Sequence, residues 1–206
     1  MKPALSKKPV IAIDIDEVLF PFTPEFLASH NAKHGTSLEP SDITNYHYIE
    51  ELYNFKGGED SEDLIESFFN EVYKGNIGPY NGAIEAIEKL KKNFTLEIVT
   101  ARRPSTLAIT EKWLNRHFPA VFNGVHFPRL KPKDTTKVEV CKEIGAKYLI
   151  DDHPDNMQGV HDAGITPLLF GEDYPWNKEH GIEGVIRVKS WAEVLEFFDE
   201  EQQTTV

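Results

Sequence analysis

Cysteine is nearly absent from the chain, and cationic residues are scarce. The single cysteine among 206 residues, Cys141, excludes an internal disulfide and a cysteine-based zinc site within one chain. The 22 lysines and arginines are outnumbered by 34 aspartates and glutamates, which gives a formal net charge of −12. A surface this acidic repels phosphate backbones and anionic lipids. Neither polymeric nucleic acid nor a membrane surface is therefore an expected partner.

Long apolar runs are also missing. No stretch approaches the roughly 18 apolar residues that cross a bilayer, and carboxylates interrupt the first apolar stretch, which does not fit a signal peptide. We therefore expect a cytoplasmic protein. The composition, 40% hydrophobic and 27% charged, is that of a globular chain, and its length suits one ordinary domain with at most a small insert. The oligomeric state is left open.

Short strand-like runs alternate with amphipathic helical patterns through most of the sequence. The runs are bounded by glycine, proline or charged residues, as buried parallel strands usually are. They cover residues 10–14, 94–99, 124–127, 147–150, 166–170 and 184–188. This alternation predicts an α/β fold in which helices cover both faces of a parallel sheet. One predicted apolar helix stripe consists of Ala83, Ile84, Ile87 and Leu90, and Cys141 lies on another.

One long stretch, from residue 21 to residue 78, interrupts the alternation. It contains no convincing strand, but it has helical patterns and many aromatic residues. An insert directly after the first strand emerges beside the carboxyl edge of the sheet, where a lid over a site would lie. We therefore predict a helical cap at residues 21–78 and an α/β core at residues 1–20 and 79–206. The alternative is that the aromatics only form the insert's own core.

Two aspartates, Asp14 and Asp16, end the first predicted strand. With a period of two, their side chains point to the same side of the pleat, at the edge where open α/β sheets bind ligands. Carboxylates this close repel each other unless a cation or a shared proton separates them. An apolar strand that runs into Asp-Ile-Asp therefore indicates a functional site, although helix capping would also place acids here.

Three further segments carry polar residues at comparable places. One strand ends in a hydroxyl residue, a group of lysines surrounds the start of a helix, and another strand ends in paired acids. Each has an ordinary explanation alone, since hydroxyls and acids cap helices and lysines cover solvated faces. These residues are Thr100; Lys131, Lys133 and Lys137; and Asp151 and Asp152.

In this order, the four segments resemble the motifs of the haloacid dehalogenase superfamily of phosphohydrolases. That superfamily carries an Asp-x-Asp first motif, a threonine or serine second, a lysine third and an acidic fourth. Residues 14–19 and 150–155 are similar to the 5'(3')-deoxyribonucleotidase branch. The resemblance covers nearly the whole chain. It implies a Rossmann-like core with a small helical cap inserted after the first strand.

The resemblance implies phosphoryl transfer in two steps, with Mg²⁺ as the cofactor. Asp14 would attack phosphorus and form an aspartyl-phosphate, while Asp16 would act as general acid and then general base. Mg²⁺ suits the paired acids because it prefers octahedral oxygen coordination. Its expected ligands are the Asp14 carboxylate, the Asp16 main-chain carbonyl and one acid of the fourth motif. Similarity favours Asp152, with Asp151 as the alternative ligand or a supporting residue.

Phosphate binding is expected to fall to Thr100 and a lysine. Lys137 would neutralise the phosphate and the nucleophile, with Lys133 as the alternative. Ala101 and Arg102, which follow Thr100, are expected to line the substrate site.

Three positions depart from the nucleotidase pattern. Glu17 replaces a common glycine, Ala101 replaces a hydroxyl residue, and His153 replaces an arginine. The last two bear on nucleotide specificity more than on phosphatase chemistry. Phe22 matches an aromatic residue that stacks on the base in the nucleotidases, and packing inside the lid is the alternative role for its ring.

We therefore expect a Mg²⁺-dependent phosphatase that acts on a small phosphorylated metabolite such as a nucleoside monophosphate. One alternative is the same chemistry on a sugar phosphate or another non-nucleotide substrate. Another is transfer of the phosphoryl group to an acceptor other than water. The alternative from a different class is a non-catalytic regulatory or interaction protein on the same scaffold, because a fold does not fix a function.

Overall fold

The structure is a computed structural model that describes residues 8–55, 58–72, 77–131, 135–171, 174–178 and 183–204. Within these residues, none of the helices combines the length and the apolar character that a membrane crossing requires. Lys133, the alternative phosphate-binding lysine, lies outside the described residues.

The core is a parallel sheet to which the described residues contribute six strands. The strands run in the order β3-β2-β1-β4-β5-β6, and every neighbouring pair is parallel. Each strand lies within or overlaps a segment predicted from the sequence, so the α/β fold is confirmed. Their bounds are β1 Val10–Ile13, β2 Thr95–Val99, β3 Gly124–His126, β4 Ala146–Asp151, β5 Thr166–Phe170 and β6 Ile186–Val188.

Helices connect the strands, and several single turns of 3-10 helix begin with a proline, whose fixed φ suits the first helical position. These turns are Pro40–Asp42, Pro104–Thr106 and Pro128–Leu130. The α-helices of the described residues are α1 Phe22–His34, α2 Tyr48–Tyr53, α3 Gly58–Val72, α4 Ala83–Leu90, α5 Leu107–His117, α6 Lys137–Glu143, α7 Asp155–Asp162, α8 Pro175–Lys178 and α9 Trp191–Thr204.

Side chains alternate along β1 and build an apolar core on each face of the sheet. Val10 and Ala12 join one cluster, which includes Cys141 of α6. Ile11 and Ile13 join the larger cluster on the other face, to which α4 and α9 contribute. Burial on both faces explains why the strand is an unbroken apolar run. The expectation that Cys141 packs in the core is confirmed.

The helical segment formed by α1, α2 and α3 contains no strand among its described residues, as the sequence predicts. Phe22 and Phe26 of α1 pack on Phe68 of α3, with ring centroids 5.5 Å and 5.3 Å from that ring. Phe69 of α3 lies 6.1 Å from Phe20, which belongs to the chain that follows β1. Aromatic contacts therefore join the helical segment to the core. The division of the chain into core and cap stays a prediction.

The carboxyl end of β1 is the point at which the strand order reverses. The chain passes from β1 to β2 and β3 on one side, and it returns to β4 on the other side of β1. Ligands of open α/β sheets bind at such a point. Asp14 follows β1, Thr100 follows β2 and Asp152 follows β4, so the fold brings the ends of these three strands side by side.

Helix α4 differs from the prediction at one position. Ala83, Ile87 and Leu90 are buried as expected, whereas Ile84 is 45% exposed. Each residue advances about 100° around a helix, so Ile84 lies off the buried face, and Ala86 completes the stripe at i, i+3, i+4 and i+7.

Replacing Ile87 by alanine should destabilise the fold by about 2–5 kcal/mol, because it removes a buried side chain and leaves a cavity. Ile84→Ala removes the same atoms from an exposed position of the same helix. It should change the free energy of unfolding by no more than about 0.5 kcal/mol. Urea unfolding of both variants measures the difference, and equal losses would contradict this placement of α4.

Candidate active site

Three acidic side chains meet where β1 and β4 end. The amide of Asp14 donates to the carbonyl of Ile150 at 2.9 Å, so the pairing of β1 with β4 continues as far as Asp14. Asp14 and Asp152 are 6% exposed, and Asp151 is fully buried. One oxygen from each of the three carboxylates lies within 4.8 Å of the others. The structure thus brings together acids of the first and fourth sequence segments.

Lys137 places a positive charge within this cluster. Helix α6 begins with a capping box in which Thr136 and Glu139 accept hydrogen bonds from each other's main-chain amides, and this fixes Lys137 in the first turn. Lys137 Nζ donates to Asp14 Oδ2 at 2.5 Å and to Asp151 Oδ2 at 2.7 Å. Burial alone would lower the pKa of Lys137, but the two carboxylates raise it above its usual value. The ammonium therefore stays charged.

The cluster holds more negative charge than Lys137 neutralises. Burial raises the pKa of Asp14 to about 7; Lys137 opposes this rise and Asp151 adds to it. Burial and the two neighbouring carboxylates raise the pKa of Asp152 well above its usual range. Asp14 Oδ1 is buried and accepts no hydrogen bond from the described residues. A divalent cation held by Asp14 and Asp152 would satisfy this oxygen and offset the charge, so the donor set fits a hard cation.

The two acids of the fourth segment have different surroundings. Besides the lysine ammonium, the Asp151 carboxylate accepts hydrogen bonds from the amide of His153 at 2.9 Å and from Asn156 Nδ2 at 3.2 Å. Asp152 lines the adjoining cavity, and Asp151 is not among the described residues that do so. This difference favours Asp152 over Asp151 as a ligand for an ion that enters from the cavity.

The turn after β2 places its three predicted site residues in different positions. Thr100 is 1% exposed, and its Oγ1 accepts a hydrogen bond from the amide of Arg102 at 3.4 Å. Ala101 and Arg102 line the cavity, whereas Thr100 is not among its described lining residues. Thr100 therefore lies one residue behind the cavity wall.

Arg102 forms an ion pair with Asp16. Its Nε and Nη2 donate to the two carboxylate oxygens at 2.8 Å and 2.6 Å. Nη1 donates to Thr110 at 3.1 Å, and the guanidinium lies 4.2 Å from the ring centre of Phe69. Such a two-pronged pair fixes the orientation of both partners. The sequence indicated Arg102 only as a substrate-binding residue, and this pairing was missed.

Glu17, which replaces a glycine of the pattern that the sequence resembles, has a left-handed backbone, with φ 58°. Its buried carboxylate accepts hydrogen bonds from the amide of Thr23 at 2.5 Å and from the hydroxyls of Tyr80 at 2.6 Å and Tyr174 at 2.7 Å. Burial raises the pKa of Glu17. The carboxylate thus ties the start of α1 to two segments of the core. The sequence marked the substitution but not this role.

A cavity of about 580 Å³ adjoins the acidic cluster, between the sheet edge and the helical segment. This volume suits a small metabolite. Phe22 lines the cavity, but its ring also packs on the helical segment, so stacking of Phe22 on a base stays a prediction. The aromatic residues of the lining are Phe22, Tyr46, Tyr48, Phe69 and Trp176.

The sequence model of the family described as "5' nucleotidase, deoxy (Pyrimidine), cytosolic type C protein" matches residues 8–203. The chain belongs to this family. It is 26% identical to the 5'(3')-deoxyribonucleotidase of Clostridium acetobutylicum over 190 residues. This aligned region covers 90% of this chain and 92% of the relative. It is 24% identical over 192 residues to the protein of the same name from Bacillus subtilis, and the aligned region covers 91% of this chain and 96% of that relative.

Solved structures of haloacid dehalogenase hydrolases share the fold. The haloacid dehalogenase-like hydrolase SP0104 from Streptococcus pneumoniae gives a TM-score of 0.63 at 16% identity, over 94% of this chain and 100% of that structure. YfnB of Bacillus subtilis, solved with bound magnesium, gives a TM-score of 0.64 at 15% identity, over 94% of this chain and 99% of that structure. The chain therefore has the fold of haloacid dehalogenase hydrolases, and its family match makes it a phosphatase.

Two groups of contacts join the helical segment to the core of this nucleotidase-family chain across the cavity. Arg103 pairs with Glu62 of α3, and Arg129 Nη1 donates to the same carboxylate at 2.9 Å. Elsewhere on the rim, the ring of Tyr46 lies 4.3 Å from that of His153. These partners are far apart in sequence, and the sequence patterns did not indicate them.

Asp152→Asn should stabilise the chain when no divalent cation is present. The amide removes a carboxylate whose pKa is raised by burial and by the neighbouring carboxylates. We expect the melting temperature to rise by about 2–4 °C, which corresponds to roughly 1 kcal/mol for a chain of this size. Scanning calorimetry in the presence of a chelator measures the change.

The matched control is Asp155→Asn, because the side chain of Asp155 is 87% exposed. This variant should leave the melting temperature unchanged or slightly lowered, since Asp155 lies in the first turn of α7. A clear loss of stability in Asp152→Asn would show that the cluster carries no excess of negative charge.

Proposed function

We propose that the chain hydrolyses a phosphomonoester of a small metabolite through an aspartyl-phosphate on Asp14, with Asp16 as general acid and base and Mg²⁺ as the cofactor. The supporting observation is the environment of Asp14. Lys137 holds its Oδ2, while its buried Oδ1 accepts no hydrogen bond from the described residues. Because Lys137 fixes its orientation, the Asp14 carboxylate could hold a cation with one oxygen and attack phosphorus with the other.

In the first step, an Asp14 oxygen bonds to phosphorus while the bond from phosphorus to the ester oxygen breaks. Asp16 gives its proton to the departing oxygen, so the alcohol leaves neutral. Asp16 lines the cavity, where a substrate would meet it. Arg102 now donates to both Asp16 oxygens, so one of these two contacts must open for Asp16 to carry the proton.

In the second step, water attacks phosphorus, and the bond between phosphorus and Asp14 breaks. Asp16 takes a proton from the attacking water, which returns the nucleophile and the acid to their starting states. Asp16 enters this step as a carboxylate, and the ion pair with Arg102 holds that carboxylate in place.

The same cluster accounts for charge neutralisation. Asp14 and Asp152, with the main-chain carbonyl of Asp16, would hold Mg²⁺, and Asp151 would support Lys137. When bound, the cation neutralises charge on the phosphoryl group and on the nucleophile. Lys137 adds its own positive charge at Asp14 Oδ2.

Phosphoryl oxygens have two further proposed contacts. The hydroxyl of Thr100 would donate to one oxygen, from its position behind the cavity wall that Ala101 and Arg102 form. The ammonium of Lys137 would lie against another. Positioning and charge neutralisation are most of what phosphoryl transfer requires of a protein.

A nucleoside monophosphate is the substrate class that we propose. The names of the family and of the two relatives support it, as does a cavity lined by aromatic rings beside the acids. The helical segment would act as the cap that limits water entry during the reaction. The family's description as cytosolic supports the expected cytoplasmic location.

Phosphate release from nucleoside monophosphates, sugar phosphates and phosphoglycolate tests the proposal, with Mg²⁺ and with a chelator in parallel. We expect turnover that needs the cation and that falls by about 10³-fold or more in Asp14→Asn, because the amide cannot form the covalent intermediate. Asp199→Asn, exposed on α9 and not among the described residues that line the cavity, should keep full activity.

The possible contrary outcomes separate the alternatives. Full activity in Asp14→Asn would refute the covalent mechanism. Phosphorylated products after addition of an alcohol would indicate transfer rather than hydrolysis. Absence of turnover on every ester would favour the non-catalytic role.

Arg102→Lys should lower kcat by about 100-fold with a much smaller effect on KM, because lysine keeps the charge but cannot hold both oxygens of Asp16. Steady-state kinetics on the best substrate measures this split. Arg116→Lys is the control, since Arg116 is exposed on α5 and should be neutral. A rise confined to KM would instead indicate that Arg102 binds substrate directly.

A further inference from the structure

Trp176 donates the one hydrogen bond that the Asp152 carboxylate accepts in the described part of the chain. The indole Nε1 lies 3.1 Å from Asp152 Oδ2. Asp152 is 6% exposed and lines the cavity, and its Oδ1 accepts no hydrogen bond from the described residues. A buried carboxylate that accepts a hydrogen bond at one oxygen can still bind one further ligand through the other oxygen.

The main chain of Asp152 is fixed from the same short helix. Asn177, the next residue of α8, is fully buried, and its Nδ2 donates to the carbonyl of Asp152 at 3.3 Å and to that of Phe170 at 3.0 Å. The side chain and the backbone of Asp152 are therefore held by two consecutive residues.

The indole of Trp176 is itself held in place. Its ring stacks on that of Tyr174, with centroids 4.4 Å apart and planes inclined by 5°. The Tyr174 hydroxyl donates to the buried carboxylate of Glu17 at 2.7 Å. A donor whose own rotamer is fixed by stacking and hydrogen bonding can set the rotamer of its partner.

We propose that Trp176 is a positioning residue for the divalent cation. By holding Oδ2, it fixes the Asp152 carboxylate in the orientation that leaves Oδ1 for the cation. The inference rests on the proposed cation site at Asp14 and Asp152. Partners that orient a metal-binding side chain typically contribute about 10–100-fold in metal affinity. Trp176 takes no part in the covalent steps, so its effect belongs to cation binding.

The indole N–H resonances give a readout that does not depend on activity. The chain has three tryptophans, so three indole signals arise in a ¹H–¹⁵N spectrum, and tyrosine or phenylalanine substitutions made one at a time assign them. Titration with Mg²⁺ should shift the Trp176 signal. The Trp113 signal should stay in place, because its Nε1 donates to the carbonyl of Ile77 at 3.0 Å, away from the acids.

Calorimetric titration of the Trp176→Phe variant with Mg²⁺ supplies the second measurement. Phenylalanine keeps a smaller aromatic ring against Tyr174 and removes the indole N–H donor, so Mg²⁺ should bind about 10–100-fold more weakly. Trp113→Phe removes an indole hydrogen bond elsewhere and should leave the affinity within about twofold of the unchanged chain.

The outcomes distinguish this inference from the proposed function. If the unchanged chain binds Mg²⁺ but its Trp176 signal stays in place, or Trp176→Phe binds as tightly, the role of Trp176 is overturned and the cation site stands. If the unchanged chain binds no Mg²⁺, both are overturned. Should Trp176→Phe fail to fold, the indole titration of the unchanged chain decides alone.

Discussion

The ammonium of Lys137, buried between Asp14 and Asp151, is the contact on which the site depends. Like charges about 4 Å apart in a partly shielded protein environment repel by roughly 4 kcal/mol, so three carboxylates cannot gather at one sheet edge unaided. The capping box of α6 and the strand order around β1 bring the lysine to the acids. The negative charge that Lys137 does not neutralise is the physical reason why we propose a cation at Asp152.

The helical segment is joined to the core by contacts of two strengths. The ion pairs of Arg103 and Arg129 with Glu62 are partly exposed, and such pairs contribute at most about 1 kcal/mol each. The hydrogen bonds of Glu17 are buried, and leaving any donor or acceptor unpaired there costs about 1–3 kcal/mol. The contacts of Glu17 therefore hold the helical segment to the core more firmly than the ion pairs at the rim of the cavity do.

Local patterns were enough to predict the parallel sheet and the acids at the ends of its strands. In the runs that end in Asp14 and Asp152, a few consecutive residues indicate both the buried strand and the acids at its end. The pairing of Arg102 with Asp16 spans 86 positions, and that of Glu17 with Tyr174 spans 157. Neither pair follows a periodicity, so only the folded chain brings them together. The prediction wrongly put Ile84 in the buried stripe of α4, because it considered the apolar side chain and not the direction in which that position points on the helix.

The burial of Cys141 has a practical consequence for thiol chemistry. Its sulfur is inaccessible in the core, and burial raises the pKa of Cys141 to about 12. The nucleophilic thiolate is therefore scarce at neutral pH, and alkylating reagents and peroxide have no ready target. Because the chain has no other cysteine, a cysteine introduced on the rim would accept a fluorescent dye at one known place, without prior removal of a native thiol.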